Sequence, residues 1–247
     1  TSNVANEQDY FAINTNLTIT LFEHFLSSDI RDFFYFSSVK AVADTLGDDI
    51  LNEEMIATPS TAYGRSKLAA EQYLLNVVLP KNKRLFIIRP CMIHGMGNKG
   101  NLNLLYKIVK NGIPWPLASF ENRRSFLSID NLNYLIEKMI LTQHLSSGIY
   151  NFADDESIST NELVGLISAT LGCKSKFWYI PTGLVQAGAK IGDILPLPLN
   201  SERLKKLTES YVVSNVKIKK SLGLNELPIS VTVGLKKTIY SFDTQTL

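Results

Sequence analysis

The sequence predicts an α/β fold built on a parallel sheet, and three observations carry that expectation. The apolar run Phe33-Phe34-Tyr35-Phe36 reads as a strand buried on both faces, the kind that belongs in the middle of a parallel sheet. A helical segment from about 61 to 79 follows it, and a second apolar run, Leu85 to Arg89, follows the helix. Strand, helix and strand in that order predict neighbouring parallel strands joined by a crossover.

Taken in order, residues 10–27 repeat apolar positions at helical intervals (Phe11, Leu17, Leu21, Phe22, Phe25), so a helix should pack on the sheet there. The stretch 45–60 is acidic and poorly periodic and reads as a loop reaching over the site. Pro80 should stop the next helix near Leu79. After the strand at 85–89 comes a helix over 102–109, then Arg123 and Arg124 beside a short strand, and a helix from Asn131 with Asp130 placed to cap it. Residues 149–152 form a strand. Ser159 and Glu162 make a capping box for a helix closed by Gly172. A short strand is expected at 176–180, the Pro-rich span 195–199 should separate two short helices, and 214–222 and 231–240 read as closing helices.

Composition narrows the function classes. A net charge of +2 with both signs spread through 247 residues gives no electrostatic case for nucleic acid or a membrane partner. No apolar run is long enough to span a bilayer, and the segment from Thr1 does not read as a signal peptide. Cys91 and Cys173 offer no disulfide framework and suit a reducing cytoplasm. His24, His94 and His144 share no metal-ligand spacing.

Chemistry concentrates at Tyr63 and Lys67, four residues apart on one helix face, where an ammonium can act on a phenol so that Tyr63 trades protons near neutral pH. The spacing alone is weak, because Tyr106 with Lys110 and Tyr134 with Lys138 repeat it inside ordinary amphipathic segments. Context separates the first pair: Gly64 and Ser66 accompany it, and Ser38 lies 25 residues upstream at the end of the apolar strand.

A strand ending in Ser37-Ser38, a helix carrying Tyr63, Gly64, Ser66, Lys67 and Glu71, and a strand ending in Arg89-Pro90 together resemble the extended short-chain dehydrogenase/reductases of the NAD-dependent epimerase/dehydratase family. The resemblance implies a partial Rossmann-type parallel sheet flanked by helices, with a smaller C-terminal α/β substrate lobe. Residues 1–91 and 130–153 would form the NAD(P)-binding part, and 92–129 and 154–247 the sugar-nucleotide lobe. It also implies NAD or NADP as cofactor, a UDP-sugar as substrate, and hydride chemistry at C4 in surface-polysaccharide synthesis. Ser38, Tyr63 and Lys67 would be catalytic; Asn14, Tyr63, Lys67 and Pro90 would meet the cofactor; Ser38, Val39, Met92, Asn101 and Arg124 would meet the substrate. Helices 10–27 and 61–79 match those that pair in family homodimers.

Three departures qualify the match. The family's opening Gly-rich strand-loop-helix and further βα units, roughly 60 to 90 residues at about 30 per unit, are not seen before residue 10, which reads as a truncation. A non-catalytic sugar-nucleotide-binding or assembly protein is the alternative that follows. Gly95-Met-Gly97-Asn-Lys-Gly100 fits the dinucleotide pattern G-x-G-x-x-G, with Glu121 where a ribose acid would be sought, yet it stands too far beyond Arg89 and reads as a decoy. Met92 stands where the family often has a substrate-contacting asparagine, and a thioether is only a weak acceptor. Val39-Lys40 replaces the Asp-Glu expected of a 4,6-dehydratase, which leaves a 4-epimerase or a 4-ketosugar reductase; the blocks around Ser38, Asn101 and Arg124 resemble the reductases more.

Overall fold

The computed structural model describes residues 6–98, 100–195 and 200–244. The first helix is longer than expected and interrupted: α1 (Glu7–Phe11) runs through a π-helical turn, Ala12–Asn16, into α2 (Leu17–Ser27). Strand β1 (Asp32–Phe36) leads through a 3₁₀ turn, Val39–Ala41, and a short β2 (Ile50–Leu51) to α3 (Ala62–Asn76). Then come β3 (Arg84–Pro90), β4 (Met92–His94), α4 (Asn101–Lys110), β5 (Arg124–Ser128), α5 (Ile129–Leu141) and β6 (Gly148–Phe152). The remainder is β7 (Ser157–Ile158), α6 (Thr160–Thr170), α7 (Thr182–Ile194), α8 (Ser201–Thr208), β8 (Val212–Val213), α9 (Val216–Leu222) and α10 (Val231–Thr244).

Strands β1, β3 and β6 lie side by side, all parallel, with Phe34 opposite Phe86 and Arg89 opposite Asn151. Alternation along the strands sorts their side chains to two helical layers. Tyr35, Leu85 and Ile87 face Phe22 and Phe25 of α2 and Ala70 and Leu74 of α3. Phe86, Ile88, Tyr150 and Phe152 face Leu132, Leu135 and Met139 of α5, with Ile218 of α9. Residues such as Phe22, Phe86 and Leu135 are fully buried, each stabilising the fold by about 1.5–3 kcal/mol relative to exposure. Lys83 fastens the end of α2 to this frame: its Nζ donates to the carbonyls of Phe25 in the last turn, of Ser28 at the cap and of Ile30 beyond it, at 2.8, 2.6 and 2.9 Å.

A second core gathers α4, α6, α10, Trp115 and Phe126. Beside it β4 pairs in parallel with β5, and β7 pairs antiparallel on the other side of β5. Tyr211, Val213, Ile218 and Leu227, from the segment expected in the sugar-nucleotide lobe, pack into the sheet's second layer. Other differences are local. The loop at 45–60 contains β2, which pairs with β8. Helix α3 ends at Asn76, with Val77 already extended. Ser128, not Asp130, caps α5 by accepting from Asn131 N at 3.1 Å, while Asp130 pairs with Lys237. The strand expected at 176–180 is reduced to isolated bridges from Phe177 to Trp115 and from Tyr179 to Leu117. Of the Pro-rich span, residues 196–199 lie outside the described residues, and α7 and α8 stand on either side.

Candidate active site

The site begins where β1 ends. Ser37 N donates to Ile88 O at 2.8 Å, and Ser38, extended at φ −162°, opens the 3₁₀ turn with its Oγ accepting from Lys40 N at 3.1 Å. Helix α3 docks on that turn through Gly64. A Cβ at this position would fall inside van der Waals distance of Lys40 O and 2.8 Å from Pro59 Cβ. Asp44 ties down the same end of α3 by accepting from Ser60 N, Thr61 N and both hydroxyls at 2.7–3.0 Å. Burial pushes the Asp44 carboxyl up, but these bonds outweigh it and hold its pKa below the usual range. The turn that begins at Ser38 and the N-terminus of the helix that carries Tyr63 are therefore tied together through Asp44 and Gly64.

On α3, the Tyr63 ring meets Tyr10 edge-on at 5.9 Å, and Lys67 donates from Nζ to Phe36 O at 2.9 Å, 5.1 Å above the Tyr35 ring. Burial lowers the Lys67 pKa, and Glu71 one turn away opposes the shift. Asn14 lies in the π-helical turn; its Nδ2 donates to Ser66 Oγ at 3.0 Å and its carbonyl accepts from Tyr35 OH at 3.3 Å. Ser66 Oγ passes the chain on to Tyr63 O at 2.9 Å. Single π turns recur at functional sites because the widened turn frees a backbone group from the helix ladder.

Behind the site lies a buried ion pair. Arg89, at the end of β3, donates from Nε to Glu71 Oε1 at 3.0 Å, and Glu71 also accepts from Ser37 Oγ. Glu71 is 1% and Arg89 4% exposed. The tips that carry Ser38 and Pro90 are thus held from the same carboxylate. In the other two Tyr–Lys pairs, Lys110 bonds Tyr106 OH at 3.1 Å, and Lys138 sits 5.4 Å from the Tyr134 ring centre.

Met92, Asn101 and Arg124 line one narrow cleft of about 20 Å³ together with Thr160 and Leu207. Arg124 donates from Nε to Glu209 O at 3.1 Å, and burial lowers its pKa. Val39, expected at the substrate, instead has its side chain 4% exposed in the sheet's second layer, because the 3₁₀ turn rotates it inward. The glycine loop follows β4 directly and leads to Asn101, so it borders the cleft; Gly95 packs so closely that a Cβ would stand 2.8 Å from Ile129. Its Lys99 lies outside the described residues, and Glu121 is exposed.

Lys40 was not singled out for binding, yet it joins the two halves. Its Nζ donates to Asp44 O at 2.7 Å and sits 3.8 Å over the Tyr211 ring, in the field of Arg124 and Glu209. Burial lowers its pKa to about 8 from 10.5. Between those two values the unfolded chain holds a proton that the folded chain has released, so this group makes stability rise with pH. Against a Lys40→Met reference, the wild type's relative stability should be flat below about pH 8 and climb from there to about 10.5. A flat difference across that window in urea titrations would show a well-solvated ammonium.

Comparison with known proteins supplies the context. The family model described as NAD dependent epimerase/dehydratase family matches residues 1–153. UDP-glucose 4-epimerase of Vibrio cholerae is 28% identical over 235 residues, 94% of this chain and 70% of that protein. N-acetyl-alpha-D-glucosaminyl-diphospho-ditrans,octacis-undecaprenol 4-epimerase of Escherichia coli O157:H7 is 25% identical over 94% of this chain and 72% of its own length. Among solved structures, UDP-glucuronic acid 4-epimerase from Bacillus cereus in complex with NAD superposes with a TM-score of 0.74 at 15% identity, over 100% of this chain and 72% of that one. The Bordetella bronchiseptica enzyme WbmG in complex with NAD gives 0.73 at 15%, over 99% and 70%. At these identities the superpositions establish the fold, a Rossmann-type parallel sheet with flanking helices.

Proposed function

The chain belongs to the NAD dependent epimerase/dehydratase family, and from that premise we propose that it serves NAD(P)-dependent chemistry at C4 of a UDP-sugar, as an epimerase or a 4-ketosugar reductase. One observation carries the reading: Gly64 packs the Tyr63–Lys67 turn of α3 against Lys40 O, in the turn that begins at Ser38, and Lys67 donates to Phe36 O at the end of the same strand. The names of the two relatives, both 4-epimerases, support C4 and favour the epimerase arm.

In this reading Tyr63 takes the proton from the C4 hydroxyl, or returns it, while Ser38 bonds the same oxygen and holds it in line. NAD or NADP, when bound, accepts and returns hydride at C4. The residues present fit a nicotinamide nucleotide at the tips of β1 and β3. Lys67 spends one N–H on Phe36 O and keeps donors for a ribose hydroxyl. Asn14 and Pro90 flank that position. Arg124, partly desolvated and fixed by Glu209 O, offers its remaining guanidinium donors to the diphosphate, and Asn101 lines the same cleft. The same reading extends to a homodimer through α2 and α3, supported by the exposed apolar stripe Ile13, Leu17 and Leu21.

Tyr63→Phe should lower turnover by about 10²–10⁴-fold while leaving the dissociation constant for UDP unchanged. Retained turnover removes Tyr63 from its assigned role. Calorimetry with UDP, NAD(H) and NADP(H) tests the premise beneath it: UDP binding with no nicotinamide binding would leave a sugar-nucleotide-binding protein and no enzyme.

A further inference from the structure

Averaged over the chain, charge gives no case for a membrane partner, but the fold concentrates it. Residues 171–208 hold six cations, Lys174, Lys176, Lys190, Arg203, Lys205 and Lys206, against Asp193 and Glu202. All six are exposed. The chain as a whole is only +2, so everything outside this segment is slightly acidic.

The same segment carries an uncovered apolar face. Helix α7 buries Val185, Ala189 and Gly192 against the lobe and presents Gln186, Lys190 and Asp193 on its far side. Between these two faces runs a third, Leu184, Gly188, Ile191 and Leu195, spaced by four, three and four so that all stand on one side of the helix. Leu184 is 66% and Ile194, at its margin, 86% exposed. Trp178 and Tyr179, at 57% and 72%, stand exposed just before the helix begins. Aliphatic side chains on one arc, aromatic rings just before the helix and exposed cations in the same segment are the makings of a helix that lies in a headgroup layer.

We propose that α7 and its flanking segment dock this protein on an anionic membrane surface, with Leu184, Ile191 and Ile194 turned into the acyl boundary and the lysines among the headgroups. Charge selects this occupant over a second copy, because two such basic faces brought together would repel, whereas anionic lipid neutralises them. The geometry also fits a working enzyme. Asp193 holds the start of α8 by accepting from Ser201 N at 2.9 Å, and Leu207 at the far end of α8 lines the cleft, so docking leaves the cleft one helix away from the bilayer.

Co-sedimentation with vesicles decides it. Partition onto phosphatidylcholine vesicles containing phosphatidylglycerol should exceed that onto phosphatidylcholine alone by about tenfold or more, and high salt should abolish the difference. Ile191→Asp with Ile194→Asp, both at exposed positions, should remove binding to the anionic vesicles. Equal partition onto both vesicle types overturns the proposal without recourse to any variant, and so does full retention of the double variant. A wild-type dimer in light scattering that the same double variant dissolves would assign the face to a second copy and overturn it too.

Discussion

Glu71→Ala should destabilise the fold by about 3–5 kcal/mol, the cost of leaving a buried cation without its partner. Arg89 cannot follow its charge into water, since it is 4% exposed between the α3 layer and the strands, and its Nη1 already lacks a hydrogen-bond partner among the described residues. The loss should appear as a lowered urea midpoint at unchanged slope. Arg89→Met alone should cost a comparable amount, because it strands the carboxylate of Glu71 instead. The informative variant is the double one. Glu71→Leu with Arg89→Met replaces both charges by apolar groups of similar size, and stability should return to within about 1–2 kcal/mol of wild type or exceed it. If the single Glu71→Ala costs less than about 1 kcal/mol, the pair is solvated in solution and does not brace the site.

That ion pair also explains why the strand tips hold their position. Ser37 Oγ donates to Glu71, and Arg89 precedes Pro90, so one carboxylate fixes the two chain segments that would flank a nicotinamide. A double variant that regains stability yet turns over substrate poorly would separate bracing from folding.

Much of this architecture was legible because the signals are local. Four consecutive aromatic residues announce β1, Ser159 with Glu162 announces α6 and both of its reciprocal bonds form, and Gly172 takes the positive φ of 67° that a helix end favours. What was not legible depends on distant partners. Strands β2 and β8 are two residues each and exist only because they pair across more than 150 positions. The cap of α5 is local by contrast: the helix starts at Ile129, earlier than expected, which makes Ser128 rather than Asp130 the residue just before it. Val39 is expected at the substrate from the family resemblance, and its side chain is buried in the sheet's second layer. Lys40 was passed over because its significance lies in Tyr211 and Arg124, far along the chain. Glu71 and Arg89 were visible as motif residues, but only the coordinates join them.

Gly64→Ala should be damaging although alanine is the better helix former. The intrinsic gain for alanine is about 1 kcal/mol. Against it stands a methyl group that has no room: Lys40 O belongs to the backbone of the turn and Pro59 Cβ closes the other side at 2.8 Å, so relief requires α3 to move away from the Ser38 turn. Overpacking of this kind costs about 1–3 kcal/mol net. Its effect on the site should be larger than its effect on stability. A shift of about 1 Å between a nucleophile or base and its positioning partner can cost about 10²-fold in rate, and this glycine sets the separation between the Ser38 and Tyr63 elements. If the proposed function holds, turnover should therefore fall by about two orders of magnitude while the protein remains folded and keeps its affinity for UDP. Equal turnover in the alanine variant would mean that the helix and the turn adjust independently, and the spacing of Ser38 and Tyr63 would then need another determinant.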